Sequence, residues 1–209
     1  VIKLIDICVE ANVQAVKFQK RTVDVVYSES ELNKERESPF GKTNGELKKG
    51  LEFGKKDYDI IDDYCKEKNI LWTASCWDEK SLDFLLTYKP KFLKIASASL
   101  TDRNLLKKHK ETEIPIILSS GMSTMDQIEV AVSIIGEKNN ILLHCTSSYP
   151  CKTEELNLSL IPVLKNKFKD MIIGYSGHET GLASTIAAAA LGAKVIERHI
   201  TLDRSMWGS

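Results

Sequence analysis

The sequence lacks the features that mark several common classes of protein. Its five cysteines are odd in number and scattered, with no Cys-x-x-Cys pair, so we expect reduced thiols in a cytoplasmic protein rather than a disulfide framework. No apolar run is long enough to span a bilayer. Lys and Arg number 29, as do Asp and Glu, and this balance gives no support to a nucleic-acid or anionic membrane partner.

Several catalytic and cofactor-binding motifs are also missing. No Gly-rich dinucleotide loop follows a strand-like run, and Gly-x-Ser-x-Gly does not occur. The turn-rich segment 38–46 is not a phosphate-binding P-loop, because its second glycine and its Lys-Thr pair are wrongly placed. No cysteine has the sequence context of a nucleophile. The 209 residues, 43% of them hydrophobic, are nevertheless enough to form a substantial core in one domain.

Strand-like and helix-like segments alternate along the chain. Seven apolar, β-branched runs predict strands at 13–19, 70–75, 92–97, 114–119, 140–146, 171–176 and 193–200. Helical patterns lie at 2–10, 55–68, 78–87, 101–110, 124–135, 156–168 and 179–191. Asp102 and Thr124 are the expected N-caps of two of these helices. Strict alternation of strands and helices predicts an α/β fold with a parallel sheet.

The fold that best fits this alternation is a (β/α)8 TIM barrel, which needs eight strands. Because only seven strands are predicted, we expect a first strand to precede Val1 and a last helix to follow Ser209. Residues 1–209 would then form one partial barrel domain. The alternative is an open doubly wound sheet, which the missing Gly-rich loop disfavours. The long connection 20–54 has no clear periodicity and is either a lid or a solvated insertion.

Two histidines end neighbouring predicted strands. His178 follows one β-branched run and His199 ends the next, with an Ala-rich helical segment between them. Both imidazoles should therefore meet at the carboxyl end of a parallel sheet and bind a divalent metal. Two imidazoles without thiolates favour Mn²⁺ or Mg²⁺ over structural Zn²⁺. In contrast, His144 lies in an apolar run and is predicted to be core, and His109 lies at a basic helix end and is predicted to be on the surface.

Alternation along the strands places several charged side chains on the face away from the helices. This face would carry Lys17 with Gln19 in one strand, Lys94 in another, and Glu197 with His199 in the last. Lysines inside a barrel need an anion, so two of them could hold the carboxylate and the phosphate of one ligand. The alternative is a buried Lys–carboxylate pair. Arg198 points to the helix side and is predicted to form a structural ion pair.

Hydroxyl side chains recur at the ends of successive predicted strands. They are Ser75, Ser97, Ser119 with Ser120, Thr146 with Ser147 and Ser148, and Ser176. Hydroxyls and loop N–H groups at a barrel mouth suit phosphate oxygens, although any one serine is more often a cap or turn residue. Ser97 is out of phase with Lys94 and reaches the site only if its strand ends there.

These residues belong to motif blocks that resemble the catalytic barrel of the sialic acid synthases. The blocks occur in the family's order at 15–19, 41–46, 51–53, 73–75, 93–97, 118–122, 144–150, 173–181 and 197–203. Among them are Ala15-Val-Lys-Phe-Gln19, Gly174-Tyr-Ser-Gly-His178 and Glu197-Arg-His199. Any single block is a weak signal, but the ordered set, running from one end of the chain to the other, is a strong one.

The resemblance implies an enzyme that condenses phosphoenolpyruvate with N-acetylmannosamine, its 6-phosphate or a bacterial analogue, releasing phosphate. It implies a divalent metal, Mn²⁺ or Mg²⁺, on His178 and His199. Lys17, Lys94 and Glu197 would be catalytic. The residues that would line the phosphoenolpyruvate pocket, beside the two lysines, are Ser75, Ser97, Ser119, Ser147 and Ser176. Tyr149, Glu197 and Gln19 would face the sugar.

The chain departs from the family pattern in three respects. Ser147 stands where bacterial relatives often have Asn, although a Thr-Ser pattern also occurs in the family. A glutamate of the family's first strand and a later aspartate are not in this sequence. The family's C-terminal antifreeze-like domain, which caps the partner subunit in a homodimer, is also not in this chain.

Three alternatives to this function stay open. One is a sister synthase acting on a legionaminate- or pseudaminate-type precursor. A second is a metal-dependent aldolase or hydrolase, although such an enzyme would need more ligands than two histidines. A third is a non-catalytic barrel.

Overall fold

The computed structural model describes residues 1–206. The chain divides into two compact units, Val1–Lys91 and Phe92–Ser209. The prediction of one partial barrel domain stays a prediction. Within residues 1–206, no helix is both long enough and apolar enough to cross a bilayer.

The first unit contains two parallel strands and the helices around them. In chain order its elements are α1 (Ile2–Glu10), β1 (Ala15–Lys20), α2 (Val23–Val26), α3 (Glu29–Leu32), β2 (Glu35–Ser38), β3 (Gly41–Thr43), α4 (Asn44–Leu51), α5 (Lys55–Glu67), β4 (Leu71–Cys76) and α6 (Glu79–Leu86). Strands β1 and β4 pair in parallel. The predicted strands and helices of this region are confirmed to within one or two residues at each end.

The two faces of β1 differ as the alternation predicts. Phe18 packs on the helix side, where its ring contacts Tyr58 of α5 and Trp72 of β4 at centroid distances of 6.3 and 6.2 Å. Lys17 and Gln19 point the other way and are exposed. The aromatic cluster therefore fixes which face of the strand carries the charged residues.

The long connection after β1 is more ordered than the sequence suggested. It holds α2, α3, α4 and an antiparallel hairpin of β2 and β3, elements of three to eight residues that are too short to show a period. Both ends are anchored: Arg21 Nε donates to Glu52 Oε1 at 2.6 Å, and Asp78 accepts from Thr22 N and Oγ1 at 2.7 and 2.9 Å. The hairpin strand β2 is largely exposed.

The second unit is a run of five parallel strands in sequence order. Its elements are β5 (Leu93–Ile95), α7 (Arg103–Glu111), β6 (Ile116–Ser119), α8 (Met125–Ile135), β7 (Ile141–Cys145), α9 (Leu160–Lys167), β8 (Ile172–Gly177), α10 (Ala183–Ala190) and β9 (Ile196–Arg198), with 3₁₀ turns at Ser97–Ser99 and Thr153–Glu155. Each strand pairs in parallel with the next. Asp102 and Thr124 cap α7 and α8, as predicted.

Two helices of the second unit begin four residues later than predicted. Helix α9 starts at Leu160 because a 3₁₀ turn and Asn157, whose φ is +44°, come first. Helix α10 starts at Ala183 because Glu179 pairs with Cys151 in an isolated bridge and Gly181 has a φ of +89°. A positive φ is incompatible with the start of a right-handed helix.

The two histidines outside the predicted metal pair are both buried. His144 lies in the core as predicted, with Nε2 at 2.7 Å from the Leu156 carbonyl. The prediction of a surface position for His109 was wrong: the side chain is fully buried, and its Nδ1 lies 2.8 Å from the Leu105 carbonyl. The basic neighbours of His109 suggested exposure, but His109 falls on the inner face of α7. Burial lowers the pKa of both rings.

Candidate active site

The strand ends of the second unit bring four polar side chains together. Lys94 of β5 is buried, and its Nζ donates to Ser119 Oγ of β6 at 2.7 Å and to the Ile95 carbonyl at 3.0 Å. The same Nζ lies 3.9 Å from Glu197 Oε1 of β9, which accepts from Ser176 Oγ of β8 at 2.8 Å. These four residues, Lys94, Ser119, Ser176 and Glu197, are called the lysine cluster below.

The lysine cluster shows that the sheet of this unit curls strongly. Strands β5 and β9 are the first and last of five, and neighbouring strands in a sheet lie about 4.8 Å apart. In a flat sheet they would be separated by roughly 19 Å, more than Lys94 and Glu197 could bridge. The ion pair therefore requires the inward curvature of a barrel wall, with both side chains on its concave face.

Both sequence-based interpretations of Lys94 have support in this geometry. The side chain points inward and is buried, as the alternation predicts. Glu197 provides the carboxylate of the alternative, a Lys–carboxylate pair. The distance of 3.9 Å between Lys94 Nζ and Glu197 Oε1 is long for an ion pair. The Nζ lies closer, at 2.7 Å, to the hydroxyl of Ser119. An anionic ligand could therefore compete for the ammonium group without breaking a bidentate ion pair.

The loops that follow β5, β6 and β7 meet at Gly121, two residues after Ser119 of the lysine cluster. Ser97 lies just after β5 ends, so the condition for its reaching the site is met, and its Oγ accepts from Gly121 N at 3.0 Å. A Cβ on Gly121 would come within 2.8 Å of Ser97 Oγ and 2.2 Å of Ser147 Oγ. This glycine thus lets two hydroxyls and a backbone N–H converge. The group Ser97, Gly121 and Ser147 is called the serine cradle.

The remaining predicted pocket residues lie in the first unit. The register places Lys17 beside Thr73 and Gln19 beside Ser75 on the paired strands β1 and β4. Ser75 is buried, and its Oγ has no hydrogen-bond partner among residues 1–206. A buried hydroxyl without a partner is unusual in proteins, and a ligand oxygen would satisfy it.

His178 and His199 are close neighbours at the ends of β8 and β9. Their ring centroids lie 5.3 Å apart with an interplanar angle of 61°. Nδ1 of His178 lies 2.7 Å from the Thr146 carbonyl, which can only accept, so Nδ1 carries a proton and in the neutral ring Nε2 is the acceptor. The Tyr149 hydroxyl lies 2.8 Å from that Nε2, and its ring stacks on His178 at 4.0 Å. Tyr149 itself is largely exposed.

The two imidazoles fit a partly hydrated cation better than a closed metal site. Across residues 1–206, no three His, Cys, Asp or Glu side chains assemble as a ligand set, so a metal here would take further ligands from water or substrate. A backbone carbonyl that orients a ligating imidazole is the usual supporting contact in metal sites. Burial opposes protonation of His178, but Cys145, the Thr146 carbonyl and Glu197 outweigh it and raise the pKa of His178. The surroundings of this ring therefore favour positive charge.

Several residues of this region were missed by sequence reasoning. Arg198 forms the predicted ion pair, but its partner is Glu179, which was assigned to a helix. Gly121 was included only as part of a motif block. Cys145, whose Sγ lies 3.9 Å from His178 Nδ1, was counted only among the five cysteines expected to be reduced. The signal that could have found them is position: each directly follows or precedes a predicted site residue at a strand end.

Comparisons with known proteins place the chain in a family. It matches the model of the NeuB family over residues 4–209. It is 42% identical over 205 residues to N-acetylneuraminate-9-phosphate synthase of Drosophila melanogaster, covering 96% of this chain and 55% of that protein. It is 35% identical over 218 residues to N,N'-diacetyllegionaminic acid synthase of Campylobacter jejuni, covering 99% and 64%. The chain thus spans about half the length of the first relative.

A solved structure agrees with the sequence matches. The N-acetylneuraminic acid (sialic acid) synthetase of Leptospira borgpetersenii, in complex with citrate, is similar with a TM-score of 0.87 at 34% identity, covering 98% of this chain and 68% of that chain. The family resemblance predicted from the ordered motif blocks is confirmed. The family match includes both strand ends that carry the histidine pair and all members of the lysine cluster. On this evidence the chain belongs to the NeuB family.

Proposed function

We propose that the full-length protein condenses phosphoenolpyruvate with an N-acylated aminohexose, N-acetylmannosamine or its 6-phosphate, to give N-acetylneuraminate or its 9-phosphate and inorganic phosphate. The observation that carries the proposal is the buried Lys94, held by Ser119 and facing Glu197 on the concave face of the strands. A buried ammonium group beside several hydroxyls suits a small, highly charged anion. Similarity to N-acetylneuraminate-9-phosphate synthase supports the choice of reaction.

The proposed roles follow from the contacts of each group. Lys94 and the serine cradle would bind the phosphate and carboxylate of phosphoenolpyruvate, with Ser119 and Ser176 orienting Lys94 and Glu197. For the first unit, the family resemblance supports assigning Lys17, Gln19 and Ser75 to substrate binding. Tyr149 and Glu197 would contact the sugar. These groups mainly position charged reactants.

The reaction balances with water as the only further reactant, which also supplies the proton taken up by the aldehyde oxygen. The methylene carbon of phosphoenolpyruvate forms the new C–C bond to the sugar aldehyde carbon, and the aldehyde oxygen takes up a proton. Water adds to the resulting cationic carbon, and cleavage of its C–O bond releases phosphate. A divalent ion on His178 and His199 would supply Lewis-acid polarisation of the aldehyde. In the neutral ring, the Thr146 carbonyl would hold the proton of His178 on Nδ1 and leave Nε2 to face the ion.

The wider context of the site is also proposed from the resemblance. We expect the full-length protein to complete the (β/α)8 barrel, to use Mn²⁺ or Mg²⁺, and to be a cytoplasmic homodimer with a C-terminal antifreeze-like domain. An alternative is a sister synthase, and the 35% identity to N,N'-diacetyllegionaminic acid synthase favours it over a metal-dependent aldolase or hydrolase or a non-catalytic barrel.

The test is phosphate release by the full-length protein from phosphoenolpyruvate carrying ¹⁸O in its bridging position, with Mn²⁺. The sugar is N-acetylmannosamine, its 6-phosphate, a diacetylated bacterial analogue, or none. Sugar-dependent release with the label retained in phosphate would support C–O cleavage by a synthase, and the active sugar identifies the branch. Label left on the three-carbon product would indicate hydrolysis instead. No release with any sugar would favour a non-catalytic barrel.

A further inference from the structure

Glu179 and Arg198 join the two strand ends that carry the histidine pair. Glu179 directly follows His178, and Arg198 directly precedes His199. The guanidinium group uses both of its terminal nitrogens: Nη1 contacts Glu179 Oε1 and donates to Thr185 Oγ1 at 2.9 Å, and Nη2 donates to the carbonyls of Glu179 and Gly181 at 2.6 and 3.1 Å. One arginine on β9 thus makes four contacts with the segment that follows β8.

The carboxylate of this ion pair is held from a second side. Glu179 is buried, and its Oε2 accepts from the Tyr175 hydroxyl at 2.7 Å. A Cβ at residue 177 would come within 2.6 Å of Arg198 Nη1 and 2.7 Å of Glu179 Oε2, so a larger residue there would displace the ends of both side chains. The four residues Tyr175, Gly177, Glu179 and Arg198 are called the clamp. These contacts link the ends of β8 and β9 through the buried carboxylate of Glu179.

The clamp lies where the backbone pairing of the two strands ends. The last paired residues of β8 and β9 are Gly177 and Arg198, so each histidine lies one residue beyond the ladder. Past that point the clamp continues the connection between the two strand ends. The pair of opposite charges adds no net charge beside the histidines.

We propose that the clamp is a positioning device that fixes the separation and orientation of His178 and His199, and that it thereby sets the affinity of this pair for a divalent cation. The second half of this inference rests on the proposed metal function, and the first half does not. Glu179 and Arg198 are positioning residues, because neither is placed against the substrate. Outer contacts of this kind commonly change metal affinity by 10- to 100-fold when they are removed.

The first experiment measures the resonances of the histidine rings in the absence of metal, and so reports on their positions. Full-length protein labelled in its histidine rings is compared with Arg198→Lys, which keeps the charge but loses the planar fork. We expect the ring resonances of His178 and His199 to shift or broaden while those of His109 and His144 stay in place. The matched control is Arg21→Lys, which alters another half-buried Arg–Glu pair, with Glu52. Unchanged His178 and His199 signals in a folded Arg198→Lys variant would overturn the clamp.

The second experiment separates geometry from simple charge effects. Mn²⁺ affinity is measured by titration for the wild type, for the double variant Glu179→Gln/Arg198→Met, and for Arg21→Met. The double variant keeps the net charge, so through-space attraction predicts no change, whereas the clamp predicts about 10-fold weaker binding. Arg21→Met should bind as the wild type does. Wild-type affinity in the folded double variant would overturn the role in metal binding.

The two readouts also separate this inference from the proposed function. A wild-type protein that binds no Mn²⁺ would contradict the proposed metal site, and with it the affinity role. The histidine spectra of Arg198→Lys would still decide whether the clamp positions the rings.

Discussion

The polar side chains at the strand ends have different hydrogen-bond partners in the two units. In the first unit, Asp78 accepts from Thr22 N and Oγ1 and from Ser81 N and Oγ, and it caps α6. Its carboxylate is used to hold backbone and helix in place. In the second unit, Lys94 bonds to Ser119 and Ser176 to Glu197, side chain to side chain across strands. The same sequence signal, a polar residue at the carboxyl end of a strand, thus has two outcomes.

The difference teaches which polar strand ends are candidates for function. A group that serves backbone N–H donors and a helix cap is committed to the fold, since its removal leaves buried donors without acceptors. A group that bonds to other side chains can exchange those partners for a ligand. By this criterion the lysine cluster is a site candidate and Asp78 is structural. The serine cradle, in which Ser97 Oγ accepts from Gly121 N, is a candidate because two hydroxyls converge at Gly121. Four substitutions or conditions test the distinction.

The largest effect is expected for Lys94→Met. Loss of a buried, hydrogen-bonded charge opposite an anion should weaken phosphoenolpyruvate binding by about 100-fold or more, because the ammonium group is the only part of the side chain that can attract the anion. Sugar binding should change much less. Isothermal titration with each ligand measures both. The control is Lys91→Met at an exposed position, and equal loss of both ligands in Lys94→Met would indicate a folding role instead.

The next largest effect is expected for Asp78→Ala, in free energy of unfolding and not in binding. Four hydrogen bonds to Thr22 and Ser81 are lost, and we expect a cost of about 2–3 kcal/mol. Urea denaturation gives the stability, and titration of the folded variant gives phosphoenolpyruvate affinity, which should stay as in the wild type. Asp126→Ala, an exposed position in the first turn of α8, is the control. A stable Asp78→Ala variant with weakened ligand binding would reverse the assignment.

A smaller effect is expected for Gly121→Ala. The added methyl group would meet Ser97 Oγ and Ser147 Oγ at less than contact distance, so the serine cradle must open. We expect KM for phosphoenolpyruvate to rise about 10-fold, the equivalent of 1.4 kcal/mol, with KM for the sugar unchanged. Gly54→Ala is the control, because its Cβ would only make an ordinary contact of 3.6 Å with Asp57. Unchanged kinetics in Gly121→Ala would remove the cradle from the site.

Much of the site could be predicted from strand alternation, and the remainder depends on where strands and helices end. Alternation placed Lys94 and Glu197 on one face, and the fold brings them to 3.9 Å. The positions of His178 and His199 at the ends of neighbouring strands predicted that they meet, and they lie side by side. The clamp was not predictable, because its Glu179 was assigned to a helix that begins four residues later, at Ala183. Its geometry depends on the φ of Gly181 and on a bridge to Cys151.

Burial of side chains on helices was harder to predict than burial on strands. The period of a strand assigns every second residue to one face, but a helix end assigns faces only after its start is known. His109 was assigned to the surface because its neighbours at the end of α7 are lysines, although it lies on the same helix face as Leu105 and is fully buried. The first unit shows the same limit: its short elements between β1 and α5 have too few residues to reveal a period.

The smallest expected effect separates the two units by pH. All four histidines lie in the second unit. Burial holds the pKa of His109 and of His144 below the ordinary value of 6.5. As pH falls below 6.5, His109 and His144 therefore bind protons in the unfolded state but not in the folded state, and the free energy of unfolding decreases. His178 has a raised pKa and the opposite sign, so we expect a net loss of roughly 1 kcal/mol between pH 7.5 and 6.

Hydrogen exchange, corrected for the intrinsic effect of pH, can locate this loss. Protection should fall in α7 and β7 of the second unit and stay constant in β1 and β4 of the first, where no histidine titrates. His109→Gln removes one of the two depressed groups and leaves the opposing contribution of His178, so it should reduce the net pH dependence by more than half. An equal loss of protection in both units, or a His109→Gln variant with the wild-type slope, would show that buried histidines do not distinguish them.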